Sequence, residues 1–100
     1  MKIKFKIITN NGLAEREGNY FPLAGYSCAI HKEEKEFTIT ELTTGFRIAH
    51  DVIKEEAIIS AQENMEASGK LAVEKAKQYL ASKGISYPIN NTKSYGKKKK

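Results

Sequence analysis

The chain has 100 residues, 40% hydrophobic and 29% charged, with a formal net charge of +5 at pH 7. These values fit one small soluble globular domain and exclude a second core, a fibrous or disordered chain and a large multi-substrate enzyme. No apolar run approaches the thickness of a bilayer, and Met1 to Lys6 alternates charge where a secretion signal needs a continuous apolar stretch, so a cytoplasmic protein without membrane contact is expected.

Ile3, Phe5 and Ile7 alternate with Lys2, Lys4 and Lys6, the two-residue period of a strand with one buried and one wet face. Asn10-Asn11-Gly12 turns the chain, and Leu13 to Asn19 is either a polar excursion or the start of a return strand. Pro22 keeps Phe21 out of a central strand. Tyr26 to His31 then alternates as a strand with Tyr26, Cys28 and Ile30 on one side. After the charged turn Lys32 to Lys35, Glu36 to Leu42 is rich in β-branched and aromatic residues and predicts a strand with Phe37 and Ile39 inward. Thr43-Thr44-Gly45 suits a tight turn with Gly45 in the left-handed region, and Phe46 to Ala49 returns as a strand.

From Asp51, a good N-cap, Ile58, Ala61, Met65, Ala72, Ala76, Tyr79 and Leu80 recur at helical spacing, and Lys83-Gly84 followed by Pro88 forms a stop. The apolar face stays in phase across Ser68-Gly69, which favours one continuous helix. At ~1.5 Å per residue that helix would run about 50 Å and overhang strands of about 23 Å. Either Gly69 bends the chain back, or the far half buries Ala72, Ala76, Tyr79 and Leu80 on a partner or a second copy in a homodimer. Ile85 to Ile89 reads as a brief edge strand. The expected fold is α+β, an antiparallel sheet of three or four strands packed on one long or bent C-terminal helix. Residues 1–89 form the domain and 90–100 a flexible lysine-rich tail.

The soft-ligand candidates are Cys28, His31 and His50, fewer than the roughly four that zinc requires. An offset of three along a strand sends Cys28 and His31 to opposite faces, so they neither share a metal nor form a nucleophile pair, and Cys28 is expected to be a buried filler. Glu33, Glu34 and Glu36 lie beside His31 in a charged turn, where solvated carboxylates keep their ordinary pKa. Gly12, Gly18 and Gly25 are spaced too widely for a phosphate cradle. No catalytic residue, metal or cofactor is expected.

Lys93, Lys97, Lys98, Lys99 and Lys100 account for the whole net charge, since the rest of the chain carries 17 − 5 = 12 bases against 12 acids. Residues 31–66 hold nine acids and four bases, a net −5, while Lys2, Lys4 and Lys6 mark the first strand. Polyanions would be attracted by that strand face and by a tail in which Tyr87 and Tyr95 interleave with Lys93 and Lys97 to Lys100. Lysines on an edge strand equally guard against edge-to-edge association. Phe21-Pro22-Leu23-Ala24-Gly25 with the later Glu55-Glu56-Ala57 is similar to the HicB-type antitoxin domain, but two further strands intervene here, so no role is carried across. Size and composition are those of phage and plasmid accessory proteins, including inhibitors of CRISPR nucleases. The expected function is that of a non-enzymatic protein occupying a surface of a protein or nucleoprotein partner, with direct nucleic-acid binding as the alternative.

Overall fold

The computed structural model describes residues 1–94. Among them the chain forms β1 (Lys2–Thr9), β2 (Gly12–Tyr20), β3 (Cys28–Glu33), β4 (Glu36–Glu41), β5 (Phe46–Asp51) and a long helix α1 (Lys54–Ser82), with a short 3-10 turn at Thr92–Ser94. The α+β class and the antiparallel order follow expectation, but the sheet has five strands, not three or four, in the order β1-β2-β3-β4-β5. The additional strand is β2, which pairs with β1 from Lys2↔Asn19 to Thr9↔Gly12. Its inner positions are Ala14, Arg16 and Gly18, without a large apolar group, so its alternation is faint in the sequence.

The two faces of the sheet are covered by different elements. Leu23, Cys28, Ile30, Ile39 and Ala49 pack with Ala57, Ala61 and Met65 of α1. On the opposite face, Ile3, Phe5, Ala29 and Leu42 form a second cluster. The β1–β2 hairpin provides that second cover. After pairing with β3 at Asn19↔Ile30 and Tyr20↔Ala29, it folds across the face away from α1. Phe5 there meets His31 edge-on, with ring centroids 5.6 Å apart, and the Ile8 N–H donates to Gly45 O at 3.0 Å. Gly18 makes the fold-over feasible, because a Cβ there would lie 2.4 Å from Ile30 O and 2.7 Å from the His31 Cβ. Burial on both sides explains why Cys28, Ala29, Ile30 and His31 are all buried in succession.

A latch holds the curl. Lys6 N–H donates to Asn90 Oδ1 at 2.8 Å, while Asn90 Nδ2 donates to Lys6 O at 3.0 Å and to Leu42 O at 2.7 Å. Ile89 N–H adds a bond to Thr43 O. The expected edge strand over Ile85 to Ile89 is absent; the segment is irregular and ends in the buried Asn90.

The helix also departs from expectation at its start. Asp51 belongs to β5, opposite Phe37, and its Oδ1 accepts the Ile53 N–H at 3.0 Å; Ile53 is the N-cap and makes no side-chain capping bond. The C-terminal stop is as expected, with Ile85 N–H bonding Leu80 O and Gly84 N–H bonding Ala81 O around Gly84 at φ 73°. The length problem is solved by a kink at Ser68 (φ −149°, ψ 25°), beside Gly69, against which the Tyr26 ring is pressed. Beyond it Ala76 and Leu80 are buried within this chain, while Ala72 and Tyr79 stay exposed. No helix of the described residues is long and apolar enough to cross a membrane.

Candidate binding surfaces

Lys2, Lys4 and Lys6 are exposed on the wet face of β1, as their alternation requires. Register places Glu17 opposite Lys4 and Glu15 opposite Lys6, so acids on β2 offset most of the charge that a polyanion would meet there. The Asn90 latch fixes the chain to Lys6 three residues before Lys93, which is also exposed. Tyr87 is exposed at 42% and lies under the Lys77 ammonium, 4.8 Å from ring centroid to nitrogen. Tyr95 and Lys97, Lys98, Lys99 and Lys100 lie outside the described residues.

The inner face of the curled sheet is a broad open trough of about 1470 Å³ with polar and apolar walls, the polar ones including Arg16, His31, Glu33, Thr38, Thr40 and Arg47. Arg16 donates through Nε and Nη2 to the two oxygens of Glu33, at 3.2 and 3.0 Å, and His31 Nε2–H donates to Glu33 Oε1 at 2.9 Å. Arg16 first and His31 second hold the Glu33 carboxyl down at about 2. The expectation of an ordinary solvated carboxylate at Glu33 is thereby corrected: β2, which the sequence left open as a polar excursion or the start of a return strand, delivers the guanidinium that fixes it. His31 Nδ1 is buried and has no hydrogen-bond partner.

Cys28 and His31 point to opposite faces, as the strand offset requires. Burial, reinforced by the Glu41 carboxylate, pushes the Cys28 thiol up to about 12, so it is protonated and unreactive at neutral pH. His50 Nδ1 pairs with Glu36 Oε1 at 2.5 Å on the surface. Glu41, buried at the end of β4, accepts four hydrogen bonds, from the backbone and hydroxyl groups of both Thr43 and Thr44. Its charge is consumed in holding the β4–β5 turn.

A second concavity of about 230 Å³ opens between β5 and the kink of α1, with apolar walls from Phe46, Ile48, Met65, Val73 and Ala76. Its strand wall contains a β-bulge. Ile39 pairs with Ala49 but Thr40 pairs with Arg47, leaving Ile48 as an extra residue in β5. Asn64 Nδ2 donates to the Ile48 carbonyl at 3.3 Å and so fixes the strand to the helix one turn before the kink. Of the expected helix-face residues, Ala72 and Ala76 line this crevice, whereas Leu80 is core and Tyr79 packs edge-on against Phe46 at 5.5 Å. Arg47, which pattern reading did not single out, borders both concavities. Its signal was there as a cation within a short hydrophobic strand.

The turn into α1 and its first half expose further apolar and acidic groups. Val52, Ile53 and Ile59 are each more than half exposed, at 59%, 53% and 51%, among the exposed Glu55, Glu56, Glu63 and Glu66. Residues 51–66 hold five acids and one base, a net −4. No family model, curated protein or solved structure matches this chain, so these surfaces are its own guide to function.

Proposed function

We propose that this protein acts without catalysis, by covering a surface of a protein or nucleoprotein partner. The acidic and apolar ridge from Val52 to Glu66 carries the reading. Ile59, left in water on the same helical segment as the exposed Glu55, Glu56, Glu63 and Glu66, with Val52 and Ile53 exposed at the helix start, gives this segment the composition of an interaction surface, and its charge suits a basic surface of the kind that contacts nucleic acid. An inhibitor that shields such a surface, of the sort phages and plasmids encode, fits this chemistry. Two further observations support the non-enzymatic reading: the Cys28 thiol stays protonated, and the Glu33 carboxylate is locked by Arg16 and His31 far below the range of a neutral-pH acid or base.

A photo-crosslinking residue at position 59 of the full chain tests the ridge, with the same group at Glu34 as control. The expected result is a protein adduct from position 59 alone that survives nuclease treatment and disappears when Glu56→Lys and Glu63→Lys reverse the charge. Equal labelling from both positions would sink the proposal.

The alternative, direct binding of nucleic acid, is favoured by one observation: the Asn90 latch sets the root of the lysine tail beside the Lys2, Lys4 and Lys6 strand. Removing residues 93–100 should then abolish DNA or RNA binding, and the affinity of the intact chain should fall steeply with salt.

A further inference from the structure

We propose that the crevice between β5 and the kinked helix binds a small apolar carboxylate, an aryl or branched-chain acid whose hydrocarbon part fills the crevice and whose carboxylate meets Arg47. The site goes beyond the acidic ridge and stands whether or not the ridge has a partner.

Size sets the class of ligand. The crevice holds about 230 Å³. A dry apolar cavity of about 150 Å³ accepts a benzene ring, whereas sites for drug-sized molecules begin at about 300 Å³. One ring or branched chain with a short polar end therefore fits. The walls supply the matching chemistry: Phe46 and Ile48 from the strand, Met65, Val73 and Ala76 from the helix.

The opening is built into the backbone. The bulge at Ile48 moves β5 out of register with β4, Asn64 holds the bulged carbonyl, and the non-helical Ser68 redirects the helix just past that contact. The small side chains of Ala72 and Ala76 then line the gap. Closing it would require breaking the Asn64 bond or straightening the kink.

Arg47 sets the charge. Its side chain is exposed, it lines the crevice, and no ion pair within the described residues engages it. The one carboxylate in the lining, Glu41, is occupied by four donors from Thr43 and Thr44. Arg47 is thus the cation in the lining, and a ligand carboxylate at the edge of the apolar slot displaces no ion pair to reach it.

The probe is 4-methylbenzoate, with 4-methylbenzamide as its neutral counterpart, titrated into the isotopically labelled full chain and followed through backbone amide resonances. Millimolar binding is expected for a molecule of this size, with shifts confined to residues 46–48 and 64–76. Arg47→Gln should weaken the benzoate about tenfold and leave the amide unchanged, the scale of one charge-assisted contact. Ala72→Phe, a change at an exposed position, should abolish both by filling the slot. Absence of shifts at about 20 mM probe, a weak but detectable regime for such fragments, would overturn the proposal. So would benzoate binding that persists in Ala72→Phe or is unaltered in Arg47→Gln.

Discussion

Cys28 shows how position converts a reactive group into an inert one. Its thiol sits in the helix-side core with Leu23, Ile30 and Ile39, and burial raises it from 9.0 to about 12. Between about pH 9 and 12 the thiol is predominantly protonated only in the folded chain, so its contribution to stability is complete below about pH 9 and is lost as pH rises towards 12. Denaturation midpoints should accordingly decline between pH 9 and 11, and Cys28→Ala should flatten that decline. A thiol reagent at pH 8 should label the native protein at least about a hundredfold more slowly than the unfolded chain. Glu33 works in the opposite direction. Its carboxylate, held at about 2 by Arg16 and His31, contributes fully above its ordinary 4.5, and the contribution fades as pH falls through that interval. The pair is half exposed, so Arg16→Gln should reduce the acid sensitivity of stability only modestly, as measured by urea titration at pH 2.5 and 6.

At the scale of elements, α1 is two helical segments sharing one apolar stripe. The first is acidic, with Glu55 and Glu56 in its first turn where they complement the helix dipole, and the second is basic, with Lys70, Lys75 and Lys77 against Glu74. The kink keeps Ala76 and Leu80 on the molecule, where a straight rod would have carried them past the sheet. Asn64 couples this bend to the bulge in β5, because its amide donates to the carbonyl of the bulged Ile48. Asn64→Ala should lower stability by about 1 kcal/mol, the worth of one such hydrogen bond. Ser68→Ala should stay within about 0.5 kcal/mol, since the serine hydroxyl makes only a long bond of 3.4 Å to Asn64 O. Urea denaturation of the two variants checks both figures, and the larger loss at Asn64 is the informative one.

For the molecule as a whole, the Asn90 latch joins the first strand to the last described segment and keeps the β1–β2 hairpin folded over the inner face. Its amide is the one side chain that both accepts from Lys6 N–H and donates to Lys6 O and Leu42 O. Asn90→Asp preserves the shape and the acceptor but deletes both donations and brings a charge into a buried position. A loss of about 2–4 kcal/mol is expected. Hydrogen exchange should locate the effect, with the Lys6 and Ile8 amides losing protection while those of Ala61 and Met65 keep theirs. Equal loss in the helix would mean that the two faces of the sheet fold as one unit and the latch has no local role.

Alternation in β1, β3 and β4, the helical stripe, the Gly84 stop, the left-handed Gly45 and the opposite facing of Cys28 and His31 were all determined by the sequence, because each follows from bonding geometry within a few residues. The lysine face of β1 was equally legible. What pairs across long stretches of chain was decided only in three dimensions. β2 became a strand because β1 offered it a full ladder, Asn90 ceased to be tail because its amide reaches the Lys6 and Leu42 carbonyls, and Asp51 lost its capping role because β5 pairs two residues beyond Ala49. Glu33 and Arg16 found each other, and Arg47 came to border an apolar crevice, through a fold-over and a bulge that no local pattern announces. The physical reason is the same in each case: a hydrogen bond or ion pair between residues distant in sequence depends on how the sheet curls, and the curl is set by the sum of the packing on both its faces.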